Sequence, residues 1–317
     1  MTMVRGQYSQ LMAPGLDHLF IQWKDLIQTE KEYPHIFNML TSDSEYEDEV
    51  EFAGIPPMPT KQEGESISYF DAVQGGSKRY YNITYGQGCR ASFELVEDDK
   101  YGLIKQVPEC LVRSANFTEE AQAVLIFTNG FTTVTTIDGD ALFSNTHHLL
   151  GGTAATSIGP GLANIISTAG TYPNRPATDV DLSFTALQLM ATQFRRLVDG
   201  MGMPISIKPS MLVIPPELIY IARELLASEK KPYTNDNEIN ALIKDNLNFF
   251  SWSYLSSASA WFVLSGKETH TLKFKTRKAL EHDFADDFDT RSVKNIAFMR
   301  FAVGVTSFYG TWGSNGP

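Results

Sequence analysis

The densest group of chemically versatile side chains lies in TIDGDALFSNTHHLLGG, where Asp138 and Asp140 are followed by His147 and His148. Two carboxylates and two imidazoles make a donor set that zinc accepts, and a metal held there would activate water for hydrolysis. The spacing argues against it. Successive side chains diverge, so His147 and His148 do not converge on one ion. Asp138-Gly139-Asp140 lacks the further oxygens and closing glutamate of a calcium loop. The plainer reading is a turn at Asp138-Gly139 followed by a polar loop.

Other candidates are weaker. Ser144 is close to both histidines in sequence only, and a triad is defined by geometry. There is no Gly-x-Ser-x-Gly elbow and no phosphate-binding P-loop. Gly200-Met201-Gly202 follows a predicted helix, unlike a dinucleotide fingerprint. Asp283, Asp286, Asp287 and Asp289 could hold the metals of a nuclease, but like charges repel and such runs stay wet. Asn82-Ile83-Thr84 and Asn116-Phe117-Thr118 fit the glycosylation pattern, which matters only in an exported chain. The expectation is no catalytic residue, no metal and no cofactor. Metal-assisted hydrolysis by Asp138, Asp140, His147 and His148 is the alternative.

The rest of the chain sets the context. Its 317 residues allow one large domain or two modest ones, and 43% hydrophobic with 20% charged residues is ordinary for a globular protein. Cys89 and Cys110 are too few for a disulfide framework and are expected to be reduced thiols. No apolar run reaches the roughly 18 residues of a membrane span, and MTMVRGQYSQLMAPG lacks the features of a secretory signal. A net charge of −11 is not the basic footprint of a nucleic-acid reader.

Periodicity predicts a helix over 16–29, with Leu19, Phe20, Trp23, Leu26 and Ile27 on one face, to pack on the chain's own core or on a neighbour's. A long helix over about 101–129 follows, with Pro108 near its start, either kinking it or marking its true first turn, and Gly130 as its stop. A third runs over 182–198, capped by Asp181, and another follows Pro215-Pro216. Asn235 and Glu238 resemble a capping box for a short helix ending at Lys244. Strands are expected over 66–70, 80–85, 91–99 and 205–214. Two more, 260–264 and 271–275, should pair around Gly266, and a long one covers 294–309. Residues 151–181 read as a small-residue loop.

Residues 45–90 do not look like a core. They open on Glu45, Glu47, Asp48, Glu49 and Glu51 and continue through Pro56, Pro57, Pro59 and several glycines. A long extended hairpin loop fits, and a loop of that length is easiest to place on another molecule. Its exposed aromatics suit an interface. The expected interface residues are Trp23, Pro56, Pro57, Tyr69, Phe70, Tyr80, Tyr81 and Tyr85.

This order of parts resembles the tailed-bacteriophage major capsid protein, the Hong Kong 97 type fold. DGDALFSNTHHLLGG, the small-residue loop, DLSFTALQ, LVIPPELIYIARELL, NDNEINAL and AWFVL resemble Mu-like major head subunits. The resemblance implies an α+β fold with an N-terminal arm (1–44), an extended β-hairpin loop (45–90), a peripheral domain with spine helix (91–135 and 270–317) and an axial α/β domain (136–269). It implies self-assembly through pentamers and hexamers into an icosahedral shell around double-stranded DNA, contacted non-specifically. It further implies a portal protein, a separate scaffolding protein because the arm is short, and in some relatives a decoration protein. No membrane is involved; the place is the virion capsid, after assembly in the host cytoplasm. Another phage structural part, of tail or decoration type, is the remaining alternative.

Overall fold

The computed structural model describes residues 8–52, 54–55, 58–67, 69–70, 74–92, 106–148, 172–228, 230, 239–287 and 292–317. In chain order, helix α1 is Tyr8–Gln28, α2 is Tyr33–Ile36, and strands β1 and β2 are Asn38–Thr41 and Tyr46–Phe52. Strands β3 (Gln74–Tyr81) and β4 (Ile83–Ala91) precede the long helix α3, Val107–Thr128. Helix α4 (Phe184–Arg195), strand β5 (Pro209–Ile214) and helix α5 (Ile219–Ala227) lead to β6 (Asn248–Ser251) and β7 (Trp261–Ser265). Strands β8 (Leu272–Asp287), β9 (Ser292–Val305) and β10 (Thr311–Ser314) close the chain.

Two compact units emerge. The first comprises Met1–Glu47, Tyr80–Ala123 and Lys273–Val303. Its sheet has the order β1-β8-β9-β4. Strand β1 runs parallel to β8, with Asn38 opposite Lys273, and β4 runs antiparallel to β9, from Ile83 opposite Phe301 to Ala91 opposite Val293. The apolar face of α1 packs within this unit. Phe20 and Ile27 bury against Leu111 and Val112 of α3 and Ala297 of β9, with Trp23 at the margin. Leu26, expected on that face, is instead exposed. Buried Glu120 in α3 accepts hydrogen bonds from the backbone N–H groups of Glu32 (2.6 Å) and Tyr33 (3.0 Å). It thereby satisfies donors at the start of α2 that no local side chain caps. The Tyr33 hydroxyl donates to Glu119, and burial together with that carboxylate's charge pushes its titration far up.

The second unit comprises Asp48–Arg79, Val124–Leu272 and Gly304–Pro317. Its sheet is β10-β7-β5-β6, with β7 antiparallel to both neighbours and β5 parallel to β6. Strand β7 is buried at every position, as befits a strand covered on both faces. Trp261 and Val263 face α4 and α5 with Leu187, Met190, Phe194, Leu225 and Trp312. Phe262, on the opposite parity, meets Phe127, Phe131 and Phe143 at centroid distances of 5.0, 5.9 and 5.2 Å. Gly313 leaves room for these rings; a Cβ there would lie 2.9 Å from both Phe143 and Phe262.

Several expectations need correction. Residues 66–70 form no strand where described; the hairpin's second strand is β3, and Asn82 separates it from β4. The cap of α4 is Ser183, whose hydroxyl accepts from Ala186 N, because Asp181 lies outside the first turn. Strands β7 and β8 do not pair around Gly266: β10 and β5 occupy both edges of β7, and β8 belongs to the other sheet. The strand over 205–214 begins only at Pro209, and β9 ends at Val305, short of Tyr309. The charged stretch after Glu281 continues β8 to Asp287, where Lys294 holds Asp287 at 2.7 Å. Strand β10 pairs with β7 in the sheet of the second unit. Most of the strand expected at 91–99, the start of the helix expected at 101, the greater part of the small-residue loop and the Asn235–Glu238 box lie outside the described residues.

Candidate interface and the polar cluster behind it

Strands β2 and β3 pair as a two-stranded ribbon. Along β2, exposed and half-buried positions alternate strictly, as a pleated strand requires. The acidic parity turns inward. Glu47 pairs with buried Lys275 at 2.9 Å, and the ammonium of Lys275 also lies 4.4 Å from the Tyr80 ring centroid. Glu49 accepts from the Thr306 hydroxyl at 2.5 Å, and Glu51 is hydrogen-bonded to Ser307. The other parity faces solvent, leaving Val50 54% and Phe52 56% exposed. Beyond the strand, Ile55, Met58 and Ile67 are exposed as well.

Of the expected interface residues, Tyr69 (95%), Tyr81 (59%) and Phe70 (44%) are exposed. Tyr80 sits in the subunit's own core instead, its ring under Lys275. Tyr85 is half-buried and stacks on Phe301 at 4.7 Å; burial raises its hydroxyl's titration. Trp23 is half-buried beside Arg113. Pro56 and Pro57 lie outside the described residues. The ribbon brings Tyr81 within 6.3 Å of Tyr46, a residue that sequence reasoning left out, as it did Val50 and Phe52. The signal was present as apolar side chains at 46, 50 and 52, but the surrounding acids read as a solvated strip.

The Asp138/His147 group is built on a tight turn. The Thr136 N–H donates to the Asp140 carbonyl, and Gly139 takes φ +90°, which a side chain would resist. His147 is fully buried, with Nδ1 2.7 Å from Asp138 Oδ2 and Nε2 3.2 Å from the Leu142 carbonyl. Asp138 also accepts from the Thr136 hydroxyl and the Asp140 N–H. Burial pushes the Asp138 carboxyl up, but the bonds from His147 and Thr136 outweigh it and hold the group below the ordinary value. His148 turns outward to Asp140 at 3.1 Å, exposed. Asp138, Asp140 and His147 do bring ligand atoms within 4.8 Å of one another. Yet both nitrogens of His147 face hydrogen-bond partners, and Asp138 is filled by donors. The arrangement closes a loop rather than presenting an open ligand set.

A family model for phage capsid proteins, described as "Phage capsid protein", matches residues 77–312. The chain belongs to the phage capsid protein family. Its role is therefore structural, in the capsid of a virion. A search of curated protein sequences finds no match. Among solved structures, the chain is similar to that of Microbacterium phage Oxtober96, with a TM-score of 0.56, 10% identity, and 90% of this chain and 91% of that chain covered. A similar likeness holds for the capsid structure of the cyanophage P-SCSP1u, with a TM-score of 0.55, 10% identity, and 89% and 87% covered. The procapsid of bacteriophage JBD30 gives a TM-score of 0.50, 11% identity, and 96% and 75% covered. At such identities the likeness is one of fold, the Hong Kong 97 type expected from the order of parts. This phage capsid protein has, among its described residues, no helix long and apolar enough to cross a membrane.

Proposed function

We propose that this capsid protein is the major head subunit, which self-assembles through pentamers and hexamers into an icosahedral shell around double-stranded DNA and performs no catalysis. The observation that carries the reading is the β2–β3 ribbon, which directs the carboxylates of Glu47, Glu49 and Glu51 inward and Val50, Phe52 and Tyr81 outward, beside the exposed Asp48–Arg79 pair. A monomer gains nothing from that inversion; a ribbon lying over a neighbour buries its outer face. Each contact is modest alone, and a closed shell multiplies it. In this reading residues 1–44 are the arm, 45–90 the extended loop, 91–135 with 270–317 the peripheral domain and 136–269 the axial domain. A portal, a separate scaffolding protein, non-specific contact with packaged DNA and, in some settings, a decoration protein complete the partners. Assembly takes place in the host cytoplasm.

The deciding experiment replaces both outward apolar residues, Val50→Lys with Phe52→Lys. Both are more than half exposed, so circular dichroism should be unchanged while closed particles disappear from sedimentation profiles and micrographs. Normal particles from the double variant would overturn the reading.

A further inference from the structure

Glu51 ends the inward row of carboxylates in a crowded place. Its β3 neighbour is Gly75, where a Cβ would lie 2.8 Å from the Glu51 carbonyl oxygen and 3.5 Å from its Cβ. At Gly76 a Cβ would lie 2.9 Å from both the side chain and the carbonyl oxygen of Ile137, the residue before Asp138. The loop-proximal end of the ribbon is thus pressed against the turn that carries Asp138. Ser307, from the segment after β9, supplies a hydrogen bond to Glu51. Its second oxygen, Oε2, is buried with no hydrogen-bond partner.

Among the described residues, none gives Glu51 a counter-charge in an ion pair. From the turn, Asp138 is an anion already committed to His147, Thr136 and Asp140 N–H. Asp140 faces His148. From β3, Lys78 donates to the Thr135 carbonyl; burial weakens it as a cation, and the charge it feels is that of Asp138. After β9, half-buried Tyr309 is pushed far up by burial and by the charges of Glu51, Asp199 and Asp138, with a contribution from Tyr172. Glu49, on the strand itself, is engaged with Thr306. A second anion in this setting, with one oxygen unsolvated and unbonded, is unfavourable.

We propose that Glu51 is a proton-operated latch: protonated, it seats the loop-proximal end of the β2–β3 ribbon on the Asp138 turn and on Ser307, and on releasing its proton to water it loosens that end. Burial, then the charge of Asp138, raise its carboxyl to about 7, with the Ser307 bond pulling the other way. The sign follows. A carboxyl raised from its ordinary 4.5 stabilises the seated form fully below that value, and this contribution is lost as pH rises to about 7. Above that, no further loss occurs. The latch is a property of the single chain and stands apart from the shell reading.

Hydrogen exchange of the full chain, in one state of assembly and corrected for intrinsic exchange, tests it. In the native protein, peptides spanning β2 and β3 should lose protection by up to about tenfold per pH unit between pH 5 and 7, then level off. Peptides of β5 and β7 should show no such step. Glu51→Gln should keep the ribbon protected and flat across the range. Glu51→Ala, which removes the carboxyl altogether, should also be flat and serves if the glutamine variant folds poorly. A flat native profile, or a step that persists in either variant, would overturn the latch.

Discussion

The imidazole of His147 lies flat on the ring of Phe308, with centroids 3.9 Å apart and planes 7° from parallel. With Asp138 on one ring nitrogen and the Leu142 carbonyl on the other, it is a packed structural group. His147→Ala would leave the Asp138 carboxylate buried beside a void. The expected cost is about 2–4 kcal/mol of stability, measured by denaturant unfolding. His148→Ala, on an exposed residue, should be near neutral. Chelator should leave the melting temperature unchanged; a chelator-sensitive melt abolished by His147→Ala would show that a metal occupies the group.

Asp138 and Glu51 should respond to pH in opposite senses. The Asp138 carboxyl is held below its ordinary 3.8, so its contribution is present above that value and lost as pH falls through the lowered one. Acid unfolding should therefore begin at higher pH in His147→Gln than in the native chain, because the largest bond holding Asp138 ionised is gone. Coincident acid transitions would contradict this.

Glu120 acts as a cap supplied from another helix. Glu120→Ala strips two backbone donors at the start of α2 of their acceptor and should cost about 1–3 kcal/mol. Glu120→Gln keeps one acceptor oxygen and should fall between. Equal melting temperatures for all three proteins would show that water replaces the carboxylate freely.

Gly313 is required by contact, not by backbone angle. Gly313→Ala should cost about 1–3 kcal/mol as Phe143 and Phe262 are forced apart. Near-ultraviolet circular dichroism should change with it, since the aromatic cluster is what moves.

The tip of the ribbon should be dispensable for folding. Replacing residues 55–72 by a short Gly/Ser linker should leave a soluble subunit with native circular dichroism, because closure cost varies slowly with loop length. Closed shells should be absent on sedimentation. Insolubility of the variant would place the tip in the subunit's own core.

Much of this was legible before any coordinates. The rhythm of Leu111, Ala115, Val124 and Leu125 marked α3, and Pro108 falls in its first turn. Pro216 opens a helical turn where its fixed backbone angle suits one. What escaped was pairing and polarity. Strands β7 and β8 are neighbours in sequence, and local pattern cannot say that they belong to different sheets. In β2 the usual assignment of apolar residues to the inner face fails, because Thr306 and Ser307 offer Glu49 and Glu51 polar partners that only a distant segment supplies. The Asp138–His147 bond was weighed as a metal set because sequence shows donor types but not which atoms already hold one another.

The order in which the sheets close has a consequence for synthesis. Asn38 finds its partner at Lys273, β4 finds its own in β9, and the second sheet receives its edge strand, β10, at Thr311–Ser314. Every one of these pairings waits for the last stretch of chain to leave the ribosome. A polypeptide cut short by stalled translation leaves both sheets with an open edge and Trp261 without Trp312, 4.7 Å away in the finished chain. A chain that stops before residue 272 can therefore complete neither sheet.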